Sequence, residues 1–297
     1  MTAPQDMASN APLDNNGQTP RRHALDWQHW LEWPTRIFFG VLLAGFAIAA
    51  TIAGGFYFAG FLALVAIAAS REWHRMIGRA QYGREIVITA VAIVGALALF
   101  VLQPQTLWPW ALIVAGSALA AISALMRRVS PLWDGAGAFY VGIPVLCALA
   151  LRIAAPNGMW VAIALFLIVW TADTGALLTG RLIGGPKIVP VLSPNKTWAG
   201  FIGGLALPAV VMGGYVAWLG GNVTGGAILG AGLAFVGHAG DLFESWLKRR
   251  VGRKNSGSLI PGHGGVLDRI DSALLVAPAA AVLIFLIGLD PLFGAHP

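Results

Sequence analysis

Apolar runs near the length of a bilayer crossing recur along the whole chain, and they limit it to one class of architecture. Such runs can be placed at 36–53, 55–70, 86–102, 107–125, 137–153, 158–180, 197–219, 224–243 and 273–290. About twenty apolar residues span the hydrocarbon of a bilayer as a helix. In lipid every backbone amide and carbonyl must be paired inside the protein, so runs of this length read as helices. Hydrophobic residues make up 57% of the chain and charged residues 11%, against roughly 25% charge in a soluble domain. No aqueous core could hide that much apolar surface. The expected fold is all-α: a polytopic integral membrane protein of about nine transmembrane helices. The pair at 36–70 is open to a second reading, one long broken helix, because only Gly54-Gly55 separates its halves. No internal repeat of the kind found in transporters is visible.

The net charge of +6 and the pI near 10.0 would fit a nucleic-acid binder, but the placement of the charge argues otherwise. With nine spans and a cytoplasmic N-terminus, eighteen of the nineteen lysines and arginines fall on one side and only Arg152 on the other. That is the bias of cytoplasmic loops. The basic stretch around Arg71, Arg75, Arg79 and Arg84 reads as such an anchor. Residues 1–20 lack periodicity and read as a disordered cytoplasmic tail without a cleavable signal. Trp27, Trp30 and Trp33 mark an interfacial amphipathic stretch. The expected divisions are 1–34 as this N-terminal segment, 35–155 as a first group of spans, and 156–297 as a catalytic region with a signature loop at 241–272. A lone Cys147 excludes an internal disulfide framework.

Topology does not account for every charge. Asp173 lies near the end of the sixth span and Asp241 closes the eighth, where a carboxylate is costly unless it faces water, protein, a cation or a basic partner. From Asp241 the chain reads DLFESWLKRRVGRKNSGSLIPGHGGVLDRIDS. Asp241, Ser245 and Lys248 recur at spacings of four and three, on one face of a continuing helix. Six basic side chains share the segment with four carboxylates, and glycines surround Pro261 and His263. Such glycines let amides approach a phosphate. Asp268 and Asp271 stand three apart ahead of the ninth span. Carboxylates, bases and a glycine turn together fit a magnesium–polyphosphate site, because magnesium takes one or two carboxylates and fills its octahedron with water and phosphate. In VLSPNKTWAG, Ser193 is expected to cap a helix starting at Pro194, with Lys196 and Thr197 in its first turn, where an anion could bind.

At these residues the sequence resembles the CDP-diacylglycerol synthase (phosphatidate cytidylyltransferase) family. The resemblance is carried by Ser245, Lys248, Arg249, Lys254, Pro261, His263, Gly264, Gly265, Asp268, Arg269 and Asp271, with Asn255 where the family has aspartate. Upstream it is carried by Ala172-Asp173-Thr174 with Gly180, Ser193-Pro194 with Lys196-Thr197-Trp198, and Gly240-Asp241-Leu242. Asn195 and Ala199 depart from the family's lysine and glutamate. The resemblance is strong over about 165–275, while the first half matches only as hydrophobic helices.

It implies transfer of CMP from CTP to phosphatidate at the cytoplasmic face of a bacterial inner membrane. Asp241, Asp268, Asp271 and Asp173 would be magnesium ligands, with room for a second cation. Catalysis would rest on Asp241, Lys248, Asp268 and Asp271. Phosphates would be held by Ser193, Lys196, Thr197, Ser245, Arg249, Lys254 and Arg269 around the turn of His263, Gly264 and Gly265. The expected partners are CTP, phosphatidate and the bilayer, with a second copy of the chain as a further candidate and no nucleic acid. A CTP-dependent enzyme acting on another lipid phosphate or a polyprenol, or a transporter, are the alternatives.

Overall fold

A computed structural model describes residues 27–79, 83–190, 192–252, 256–257 and 264–288, with the backbone alone for 27–37 and Phe39. The expected tail at 1–20, Lys254 and His263 lie outside the described residues. Helices α1 (Trp27–Ala53), α2 (Gly55–Met76), α3 (Arg84–Leu102), α4 (Trp108–Met126), α5 (Pro131–Ile153), α6 (Gly158–Leu182), α7 (Trp198–Trp218), α8 (Val223–Arg250), α9 (Leu267–Ile270) and α10 (Ala273–Ala281) follow in order. A π-helical turn, Val282–Leu286, extends α10. Seven of these, α2 through α8, are long and apolar enough to cross a membrane, and Gly40–Ala53 and Ala273–Leu286 are shorter apolar helices. The protein is an all-α polytopic membrane protein.

The break at Gly54 separates two helices. Its φ of 65° is a left-handed conformation that ends α1, and the rings of Phe46 and Phe61 then meet at 5.6 Å, so α2 folds back along α1. Arg152 caps the break. Its Nε donates to the Thr51 carbonyl at 2.6 Å and a terminal nitrogen to the Ile52 carbonyl at 3.2 Å, satisfying acceptors that the end of α1 leaves open. At the other boundary, α1 runs without interruption from Trp27 through residues 34–35.

Packing does not follow the division at residue 156. One buried cluster joins Phe58, Trp73, Ile93 and Val145 to Leu247, Leu267 and Leu274, and a second joins Cys147 and Leu151 to Ile168, Met212, Leu233 and Val276. Between spans, lipid supplies little hydrophobic drive, so close contact of small residues matters more. Helices α6 and α7 use it: a Cβ on Gly175 would fall 2.3 Å from the carbonyl oxygen of Gly203.

Two stretches read as loops begin as helix. Helix α2 continues beyond the apolar run to Met76 and buries Glu72, Trp73 and His74 at its end. Arg79, read as a topological anchor, instead donates through Nε to both oxygens of Asp134 at 3.0 and 3.1 Å. Helix α8 runs unbroken for 28 residues, started by Asn222, whose side-chain oxygen accepts from the Gly225 amide at 2.8 Å.

Candidate active site

The site is built on the last three turns of α8. Asp241, Ser245 and Lys248 share one face, as their spacing predicts, and Ser245 donates to Asp241 at 3.5 Å. Helix α9 runs back antiparallel beside them. Gly240 makes that possible: a Cβ there would sit 2.7 Å from the carbonyl oxygen of Asp271. Asp271 therefore stands level with Asp241, and Asp268 level with Lys248.

The Ser193 helix start does not form. Helix α7 begins at Trp198, and Thr197 is its cap, with Oγ1 accepting from the Gly200 amide at 3.1 Å. Residues 186–188 pair antiparallel with 196–198: Ile188 donates to the Lys196 carbonyl at 3.0 Å and Trp198 to the Pro186 carbonyl at 3.1 Å. This pairing holds Thr197 extended, with φ −111° and ψ 156°, so neither Lys196 nor Thr197 can be helical. Ser193 lies in the preceding turn. Lys196 nevertheless reaches the site, its ammonium 2.5 Å from Asp241. Arg249 donates to the Leu192 carbonyl at 3.4 Å, which ties this turn to α8.

Asp173 and Arg269 join from α6 and α9. Asp173 is exposed and lies within electrostatic reach of Asp241, Lys196 and Arg269. Burial pushes the Asp271 carboxyl well above the ordinary aspartate range, and the nearby Asp241, Glu244 and Asp173 carboxylates push it the same way. Asp268 shifts in the opposite direction. Burial opposes its ionisation, but the Lys248 ammonium at 2.8 Å and the amides of Gly265 and Ser256 outweigh that and hold it below the ordinary range.

Both oxygens of Asp268 are engaged. One accepts from Lys248, and the Ser256 amide, at 3.3 and 3.2 Å, and the Gly265 amide, at 3.2 Å, supply the rest. Ligating a cation through Asp268 would cost one of these contacts. The Gly265 amide, read from the sequence as a phosphate donor, serves Asp268.

Among the described residues no three His, Cys, Asp or Glu side chains converge tightly enough to enclose a metal. Magnesium does not need three. Asp241 retains 31% of its side-chain exposure, and Asp271 beside it sits in an excess of negative charge that a divalent cation would relieve. This donor set fits a magnesium held largely through phosphate and water.

Three residues with no role in the sequence reading lie here. Glu244, fully buried, meets Lys248 at 2.5 Å, and its other oxygen has no hydrogen-bond partner. Its i, i+4 relation to Lys248 was visible in the sequence. Tyr140 of α5 has a buried hydroxyl with no hydrogen-bond partner, within electrostatic reach of Glu244, Asp271 and Asp241. Glu72 accepts from the Leu267 amide at 2.8 Å and from the Ser256 hydroxyl at 3.3 Å. Its only local signal was an acid and a histidine inside a stretch of arginines, which a topological anchor does not need.

Residues 34–287 match the model of the cytidylyltransferase family. The chain belongs to that family. A phosphatidate cytidylyltransferase of Brucella suis biovar 1 (strain 1330) is 37% identical over 259 residues, covering 86% of this chain and 92% of the relative. The corresponding protein of Brucella melitensis biotype 1 matches to the same extent. A phosphatidate cytidylyltransferase of Staphylococcus aureus (strain COL) is 35% identical over 211 residues, 66% of this chain and 80% of the relative. The family match therefore takes in α2 and Glu72, well outside the 165–275 stretch that the signature marks.

Proposed function

We propose that the protein is a phosphatidate cytidylyltransferase, making CDP-diacylglycerol and pyrophosphate from CTP and phosphatidate. The observation that carries the reading is the gathering of Asp241, Asp271 and Asp173 near Lys196 where the apolar part of α8 ends, with Lys248 held by Glu244 and Asp268 two turns further along. Phosphatidate brings an anionic headgroup to that level from the side, and CTP reaches it from water. An oxygen of the lipid phosphate attacks the α-phosphorus of CTP, a new P–O bond forms, and the bond to the β-phosphate oxygen breaks, releasing pyrophosphate. The lipid phosphate is ionised near neutral pH, so no general base is required.

Asp241 and Asp271 would hold magnesium, with Asp173 alongside; the ion supplies charge neutralisation and orientation of the phosphates. Lys196 already faces Asp241 and can turn its ammonium to an arriving phosphate. Lys248 is held between Glu244 and Asp268, so its charge is fixed in place before substrate binds, and such preorganisation is where phosphoryl transfer gains most. Arg249, Arg269, Lys254 and the His263 turn would complete the anion-binding side, with Ser193, Thr197 and Ser245 as polar contacts. The bacterial relatives favour a bacterial inner membrane, and the bias of basic residues favours the cytoplasmic face for this site.

The test is direct. Purified protein in lipid–detergent micelles receives labelled CTP, magnesium and phosphatidate, and products are identified by mass. CDP-diacylglycerol and one pyrophosphate per turnover are expected. Product from a polyprenol or another lipid phosphate, with none from phosphatidate, would replace this reading with that of a different CTP-dependent lipid enzyme.

A further inference from the structure

We propose that Glu72 is a positioning residue for cytidylyl transfer. Although it lies in α2, it fixes the base of the catalytic segment and so the placement of Asp268 and Lys248. The inference rests on the reaction proposed above. Glu72 is 2% exposed, and it is separated by 184 residues from Ser256 and by 195 from Leu267. Both of its partners belong to the segment that carries Lys248, Asp268 and Asp271, not to the surrounding scaffold.

The fit is close on both sides. A Cβ on Gly257 would fall 2.4 Å from one oxygen of Glu72, and a Cβ on Gly265 would fall 2.6 Å from the other and 2.2 Å from the Ser256 hydroxyl. The backbone is thus wrapped directly onto the carboxylate, and this close approach is what glycine at 257 and 265 allows.

Asp268 grips the same backbone from the other side. Ser256 is held through its hydroxyl by Glu72 and through its amide by Asp268. Leu267 gives its amide to Glu72, and its chain neighbour Asp268 takes the ammonium of Lys248. Two carboxylates from distant parts of the sequence therefore form one clamp. Removing Glu72 leaves the buried Leu267 amide unpaired and releases the Ser256 hydroxyl in the same step, so that Asp268 alone holds Ser256. The displacement passes along one peptide bond to Asp268 and from there to Lys248. Small misplacements of this kind cost rate more than they cost binding.

Glu72→Ala, Glu72→Gln and Ser256→Ala, purified beside the wild type, test the proposal. Glu72→Ala is expected to lower kcat roughly a hundredfold, with the KM for CTP held within about threefold. Glu72→Gln keeps an acceptor oxygen and should stay within about threefold of wild type. Amide exchange at Leu267 should accelerate in Glu72→Ala and not in Glu72→Gln, while α6 and α7 keep their protection. Ser256→Ala should lower kcat about threefold, with Tm lower by only a few degrees.

Unchanged kcat per folded molecule in Glu72→Ala, or unchanged exchange at Leu267, overturns the proposal. If Glu72→Ala does not fold, Ser256→Ala decides: wild-type kcat there overturns it as well. A wild-type protein that makes no CDP-diacylglycerol defeats the assigned reaction instead, and the exchange measurement still reads the clamp.

Discussion

Glu85 and Asp134, at the starts of α3 and α5, are wholly buried, and each is closed off by an arginine. Arg127 donates to both oxygens of Glu85 at 2.9 Å, and Arg79 grips both oxygens of Asp134. Asp241 and Asp271 are held differently. Asp241 meets Lys196 at a single point and remains partly open to solvent, and Asp271 is crowded by other carboxylates. A wholly buried carboxylate whose two oxygens both face one guanidinium has its charge neutralised and no open side for a cation or a substrate. One facing a single ammonium, or another acid, keeps that capacity. The difference separates acids that hold helices together from acids positioned to do chemistry, although all four belong to the helical framework of the same protein.

The comparison can be broken most decisively at Asp241. Asp241→Asn should cut magnesium-dependent CDP-diacylglycerol formation by about three orders of magnitude while Tm stays near that of wild type, measured by product mass and thermal unfolding in detergent. Asp134→Asn should do the reverse. It leaves Arg79 and His74 without their buried carboxylate, so stability should fall by about 3 kcal/mol, with turnover per folded molecule within about twofold. A large loss of turnover there at unchanged Tm would erase the distinction. Asp173→Asn sharpens it: an exposed acid at the edge of the site should cost about tenfold in turnover and raise the magnesium concentration needed for half-maximal rate. Arg127→Gln should be the mildest. Its side chain is 45% exposed, so water and Ser123 take over much of its role, and a loss of about 1 kcal/mol without a kinetic effect is expected.

The chemistry of α8 was legible because it is local. Helical spacing alone put Asp241, Ser245 and Lys248 on one face, and the signature named Asp268 and Asp271. The Ser193 start failed because a pairing with residues 186–188 competes with the helix, and a cap motif carries no information about a partner strand. Glu72 was illegible for the same reason at larger scale. Its contacts lie 184 and 195 residues away, and an acid among arginines looks like loop composition until the chain closes over it. The apolar runs gave the helices but not which neighbours they meet, so the sharing of both buried clusters across residue 156 came only with the fold.

The uninterrupted length of α8 has a consequence for the lipid as well. At 1.5 Å per residue, its 28 residues make a rod of about 42 Å, against about 30 Å of hydrocarbon. Asp241 falls about 27 Å from the start of that rod, within about one turn of the full hydrocarbon thickness, and Lys248 stands two turns further along. Because no hinge separates the immersed part from the part bearing the carboxylate and the ammonium, the helix acts as a depth gauge. A thicker or thinner bilayer shifts the waterline along a stiff scale on which the reactive groups are fixed marks. Hydrophobic mismatch therefore couples acyl-chain length, which the enzyme's own lipid product carries onward, to the height at which headgroup and nucleotide meet.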